Sequence, residues 1–334
     1  MKYVTIKDIA RHLSVSVSTV SRALADDKNV RKETREKVWE AAKELGYRRN
    51  PVAMNLKYGH TNTVGVIVPE MITPFASQVI RGIQNVLNHK NIKVIIADSE
   101  SDPAKERDNL HLMEGFMVDG IIICLCSYKK NQDEFMRLQR AGLPMVFYDR
   151  IPHGIDASQV VVDDYAKSFF LVERLIRSGR RRIVHLQGPA DIYNSVERAR
   201  GYKDALKKYG IDYDPALVLT GSTIDFEDGE KAANILMEKG IDFDAIFAFT
   251  ETLAIGSMAR LKDLGKRIPE DVAVANFSGT VLGTVVNPKL TSVEQPLYEM
   301  GVSAANEILQ KIKNPESPNH TIVLDANIKM RKSM

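Results

Sequence analysis

The stretch that decides the reading is residues 4–24, VTIKDIARHLSVSVSTVSRAL. Ile6, Ile9, Ala10 and Leu13 recur at i, i+3, i+4 and i+7, which makes one apolar face of a short helix. Thr5 stands just before it and Asp8 three residues later, a pattern that resembles a capping box. Ser14 and Val15 break the helix. Ser16 is placed to cap a second one running to about Leu24, with Val20 and Leu24 four apart on its inner face. Working outward, a third helix is predicted over about 32–45, with Val38, Ala41, Ala42 and Leu45 inward and Gly46 ending it in the left-handed conformation. Three short helices, the first two joined by a tight turn, make a helix-turn-helix bundle. On the second helix Val17, Ser18, Ser21 and Arg22 lie away from Val20 and Leu24. Arg can fork onto guanine, Ser can donate or accept, and Val can touch a thymine methyl.

Charge supports that assignment. Residues 1–60 carry 13 Lys+Arg against 7 Asp+Glu, a net +6, while the rest of the 334-residue chain carries 33 against 36, a net −3. A basic module suited to a polyanion is joined to a body that is not. With 44% hydrophobic and 27% charged residues, the bulk is ordinary globular protein, which excludes disorder and coiled coil. No apolar run approaches the roughly 18–20 residues that span a bilayer, and the N-terminal MKYVTIKDIARHL has no apolar signal stretch. Cys124 and Cys126 cannot make a disulfide framework. A cytoplasmic location is expected.

From Thr63 the pattern changes to apolar runs alternating with helical segments: VGVIVP, IKVIIAD, DGIIICL and LPMVFYD, then after about Val160 RRIVHLQGP, DAIFAFT and VAVANFS. Short apolar runs separated by helices mean parallel sheets in βαβ units. The halves echo each other, with Arg81-Gly82 in one and Arg198 followed by Gly201 in the other. Two similar lobes are predicted, with a ligand cleft outside the carboxyl ends of their strands. There is no GxxxxGK[ST] phosphate loop, no HExxH, no GxGxxG and no GxSxG, so no enzymatic activity, metal or cofactor is expected. Cys124 and Cys126 read as buried thiols rather than ligands, and Trp39 reads as packing.

Over about its first sixty residues the chain resembles, almost continuously, the headpiece of the lac repressor/galactose repressor family of bacterial transcription regulators. TVGVIVPEMITPF, VDGII, the RxxGY at Arg198–Tyr202, RIPEDVAV and LTSVEQPLYEMG extend the resemblance along essentially the whole chain. It implies an N-terminal all-α helix-turn-helix headpiece (1–49), a hinge helix and linker (50–60), and an α/β two-lobed effector domain (61–334) similar to type I periplasmic binding proteins. The N-lobe would span about 61–160 and 291–320, the C-lobe about 161–290 and 321–334. By the same resemblance Val17, Ser18 and Arg22 read bases, and Thr5, Thr19, Ser21, Asn29 and Thr34 lie near the phosphate backbone. Asn50 can cap the hinge helix with Pro51 at its first position, and Leu56, with Ala53 on the same face, matches the family's minor-groove wedge.

Implied effector contacts are Met71, Thr73, Phe75, Asp149, Asn194, Arg198, Thr250, Ser278 and Gln295. Many members have Asn-Asp where this chain has Thr250-Glu251, and Gly-Phe-Asp-Asp where it has Asn276-Phe277-Ser278-Gly279. The carboxylate that commonly holds sugar hydroxyls is missing at that position. Arg198 is available for a carboxylate or phosphate, or is a plain surface ion pair. The expected partners are operator DNA, a small-molecule effector and a second copy of the chain, with no membrane. The tail lacks a leucine heptad, so a dimer rather than a tetramer is expected. Two alternatives are a regulator controlled by a protein corepressor, for which Leu297–Gly301 resembles the family's crossover, and a sugar-binding module without DNA function.

Overall fold

The computed structural model describes residues 4–47, 60–221 and 223–334. These fall into two compact units divided after Thr61. The first holds helices α1 (Ile6–His12), α2 (Val17–Leu24) and α3 (Lys32–Glu44). The Asp8 carboxylate accepts the Thr5 backbone N–H at 2.9 Å and the Thr5 hydroxyl at 2.7 Å. Ser16 caps α2 by accepting from the Thr19 N–H at 3.0 Å. Gly46 ends α3 at φ +68°, and the Tyr47 N–H closes back onto the Ala42 carbonyl at 2.8 Å. The core is Ile9, Ala10, Val20, Ala23, Leu24, Val30, Val38, Ala41 and Ala42. Trp39, expected to pack, is instead 49% exposed, because its neighbours Val38, Ala41 and Ala42 occupy the inward stripe of α3. Asn50, Ala53 and Leu56 lie outside the described residues.

The second unit contains two six-stranded sheets. The first is built from β1 (Thr63–Val68), β2 (Lys93–Asp98), β3 (Gly120–Ile123), β4 (Met145–Tyr148), β5 (Ser158–Val162) and β11 (Thr321–Leu324), in the order β11-β5-β4-β3-β1-β2. The second is built from β6 (Ile183–Gln187), β7 (Val218–Thr220), β8 (Ala245–Ala248), β9 (Ala273–Asn276), β10 (Thr291–Glu294) and β12 (Asn327–Lys329), in the order β12-β10-β9-β8-β6-β7. Every pairing is parallel except β10 with β12. Each central strand buries both faces, which is why it reads as an unbroken apolar run.

The lobe boundaries correct the sequence expectation. Residues 158–162 pair with β4 and extend the first sheet, so the first crossing falls after Val162 rather than at 160. Residues 291–294 pair with β9 and belong to the second lobe, while 321–324 pair with β5 and belong to the first. The physical reason is polarity. Parallel strands all end at the cleft, so the chain can reach the other lobe only after it has finished a strand.

Helices cover both sheets. In the first lobe α4 (Pro74–His89) packs on α12 (Leu297–Lys313); α5 (Pro103–Gly115) and α6 (Gln132–Arg140) cover the opposite face. In the second, α7 (Asp164–Arg177) packs on α8 (Tyr193–Lys208), and α9 (Phe226–Glu238) on α10 (Glu251–Asp263), with the short α11 (Leu282–Val285) alongside. A Cβ on Gly301 would overlap the Val79 carbonyl, and one on Gly82 the Tyr298 carbonyl. The repeated glycines therefore mark close helix crossings. In the stretch that resembles the family's crossover, Leu297, Met300 and Gly301 are buried, Tyr298 is half-buried and Glu299 is exposed. Among the described residues, no helix is long and apolar enough to cross a membrane, and no group of three or more His, Cys, Asp or Glu is arranged to hold a metal.

Candidate functional site

Two surfaces carry the predicted residues. On the first unit, Val17, Ser18 and Arg22 are exposed on one side of α2, opposite its buried Val20, Ala23 and Leu24. Val17 is 38% exposed, an apolar group left in water at the start of that helix. Thr5 and Asn29 are exposed, whereas Thr19, Ser21 and Thr34 are half-buried. Asn29 turns its amide onto the Asp27 carboxylate at 2.9 Å.

The second surface is a cavity of about 400 Å³ at the strand ends between the lobes. Thr73 and Phe75 enter it from the start of α4, Asp149 from the exit of β4, Asn194 and Arg198 from α8, Thr250 from the exit of β8, and Ser278 from the exit of β9. Asp149 and Ser278 hold equivalent places in the two lobes, and both adopt positive φ, +55° and +61°. That conformation is uncommon for residues with a Cβ and is a form of backbone strain found at binding sites. A hydrogen-bonded chain joins the walls. The Ser278 hydroxyl donates to Gln295 Oε1 at 2.7 Å, Gln295 Nε2 donates to Asp149 Oδ1 at 2.9 Å, and Asn194 Nδ2 donates to Asp149 Oδ2 at 3.3 Å. Gln295 thus sits behind the lining and holds Asp149 in place.

Met71 is a correction. It is 44% exposed and does not line the cavity, whereas Ile72, 86% exposed, does; the Met71 backbone N–H donates to Asp98 Oδ2 at 3.1 Å. Arg198 is not a surface ion pair. It is 1% exposed, with Nε donating to Asp164 Oδ1 at 2.7 Å and Nη1 to the Phe249 carbonyl at 2.7 Å. Its guanidinium lies 3.7 Å from the Phe277 ring centre and 4.5 Å from that of Phe249. Burial pushes the Asp164 carboxyl up to about 7, and the guanidinium opposes that rise.

Glu251 explains one departure from the family pattern. Its carboxylate is buried and accepts the backbone N–H groups of Thr280 at 2.8 Å and Gly283 at 2.7 Å. It braces the loop after β9 and is not free to hold a ligand. Sequence reasoning missed Glu70, Arg150, Ile224, Asp225, Phe249 and Thr252, all on the wall. The adjacency of Arg150 to Asp149, and of Asp225 to the start of α9, are the signals that would have found two of them. Cys124 and Cys126 are buried free thiols, and burial pushes Cys124 up to about 12.

A basic helix-turn-helix unit whose second helix leaves one face exposed, followed by two lobes around a cavity, defines a DNA-binding transcription regulator. Residues 5–50 match the family model described as bacterial regulatory proteins, lacI family, and residues 61–331 match that of periplasmic binding proteins and the sugar binding domain of the LacI family. The chain belongs to the lacI family of bacterial regulatory proteins. Catabolite control protein A of Priestia megaterium is 34% identical over 332 residues, covering 99% of each chain. The HTH-type transcriptional repressor CytR of Escherichia coli K12 is 30% identical over 329 residues, covering 98% of this chain and 96% of that one. Among solved structures, a transcriptional regulator CelR–cellobiose complex superposes with a TM-score of 0.76 at 29% identity, covering 99% of this chain and all of that one.

Proposed function

We propose that the protein is a cytoplasmic, sequence-specific repressor of carbohydrate-related genes that binds a pseudo-palindromic operator as a homodimer. Val17, Ser18 and Arg22 read base edges, and Thr5, Thr19, Ser21, Asn29 and Thr34 hold the phosphate backbone. Asn50, Ala53 and Leu56 supply the hinge, with Leu56 wedged into the minor groove. A sugar-class effector binds between the lobes and shifts their angle, so DNA and effector affinities change reciprocally. One observation carries this reading: a basic helix-turn-helix with an exposed reading face is joined to a body whose lobes meet at a cavity bridged by Asp149, Asn194 and Gln295. The CelR–cellobiose complex supports a sugar-class occupant, and the CytR relative supports repression.

The deciding experiment is selection of bound DNA from a random pool, with and without a panel of sugars. An enriched palindrome whose affinity one compound shifts is the expected result. No enriched sequence overturns the reading. In the same assay Arg22→Ala should relax preference at one base pair per half-site by about 1–3 kcal/mol, the discrimination of one good bidentate contact. An unchanged preferred sequence removes Arg22 from the reading face.

A further inference from the structure

Two arginines line the interlobe cavity, and they differ in what is left of their charge. Arg198 is occupied by Asp164, the Phe249 carbonyl and the flanking rings of Phe249 and Phe277. Arg150, one residue beyond Asp149, is only 9% exposed. It lines this cavity and an adjoining one of about 540 Å³. Its guanidinium makes no hydrogen bond or ion pair with any described residue. Arginine is almost never buried unless paired, and its planar fork matches a carboxylate or phosphate.

The surroundings decide which anion fits. Glu70, Asp149 and Asp225 share the first cavity's wall, and Asp98 and Asp191 line the second. Burial raises Glu70, and Asp98 and Asp225 add to the rise against the pull of Arg150. A phosphate would bring close to two negative charges among these carboxylates, whereas a carboxylate brings one and pairs with the fork in plane. Polar groups on the wall favour a ligand that donates. The Thr250 and Thr252 hydroxyls already donate to the Ile224 carbonyl or to each other, and Ser278 donates to Gln295, so what these oxygens can offer a ligand is acceptance; Thr250 Oγ1 and Ser278 Oγ share it with long contacts from the Leu253 N–H and Arg198 Nη1, both at 3.4 Å.

Resting on the cleft as the effector site, we propose that the effector is a sugar acid, a uronate or aldonate, whose carboxylate pairs with Arg150 while its hydroxyls donate to Asp149 and Asp225. The anion anchor is then Arg150 in the first lobe, and Arg198 serves the wall that receives the sugar ring.

The test is calorimetric titration of the full chain with glucuronate, galacturonate and gluconate beside glucose, galactose and glucose 6-phosphate. One acid should bind at least about 10-fold tighter than its neutral parent and than the phosphate ester, the range of a charge-assisted pair. In R150Q that ratio should collapse toward one, and R150K should recover only part of it, because an ammonium cannot fork. The wild-type ratio decides the matter even where R150Q folds poorly. Tighter binding of a neutral sugar or of the phosphate ester overturns the sugar-acid assignment and leaves the cleft as the effector site. Failure of every compound to bind or to shift DNA affinity overturns both.

Discussion

In the first lobe Glu106 is 0% exposed, and its carboxylate is held by neutral donors, the Cys126 N–H at 2.7 Å and Asn131 Nδ2 at 2.9 Å. In the second, Asp164 is buried against the guanidinium of Arg198 at 2.7 Å. Two lobes with one strand order thus keep an acid inside by different means. A carboxylate satisfied by amide N–H groups tolerates neutralisation, whereas an ion pair holds two charges that depend on one another. Both devices pin the loops that form the cleft, so the comparison bears on function as well as stability.

The largest effect should come from breaking the pair. Arg198→Met leaves Asp164 buried without its cation and should cost about 3–5 kcal/mol in urea unfolding, while adding Asp164→Asn should return more than half of it. A single-variant cost within experimental error would show that the pair is not what holds the second lobe. Next comes His185, stacked between Tyr202 and Phe247, with Nδ1 3.0 Å from the Phe247 carbonyl. Burial depresses it from 6.5 to about 4, so the native lobe keeps it neutral. Its contribution is complete above pH 6.5 and is lost as pH falls through about 4. The difference in stability between the wild type and His185→Phe should therefore shift by about 3 kcal/mol across that window. A flat difference would place no titrating imidazole in the core. The smallest effect belongs to Glu106→Gln. An amide keeps one acceptor for the Cys126 N–H, and burial already raises the Glu106 carboxyl, so the expected loss is about 1 kcal/mol. A loss as large as that of Arg198→Met would erase the contrast between the lobes.

Much of this was legible in the chain because its signals are local. The three headpiece helices follow from apolar spacing and from caps at Ser16 and Gly46. Seven strands follow from apolar runs: six are buried along nearly their whole length, and the edge strand β2 is apolar though only half-buried. The strands that escaped are β5, β7, β10, β11 and β12. Of these, β7, β11 and β12 are partly exposed, and each is only three or four residues long. Their pairing depends on partners far away in sequence, which shifted two lobe boundaries by a strand each.

At the cavity, the residues that resemblance supplied were mostly in place because strand ends have fixed positions. What it could not supply was which arginine is already paired. Asp164 sits 34 residues from Arg198 and gave no sign of their contact. The role of Glu251 was also hidden, because it depends on the backbone of Thr280 and Gly283 across the next loop.

The late arrival of α12 and β11 has a consequence for synthesis. Residues 297–324 supply the helix that covers α4 and the edge strand beside β5, yet they emerge only after the entire second lobe up to β10. Until then the growing chain carries an incomplete first lobe, with the apolar face of α4 (Val79, Ile83 and Leu87) lacking its cover. During synthesis the first lobe therefore stays open until Gly301 can settle against Val79.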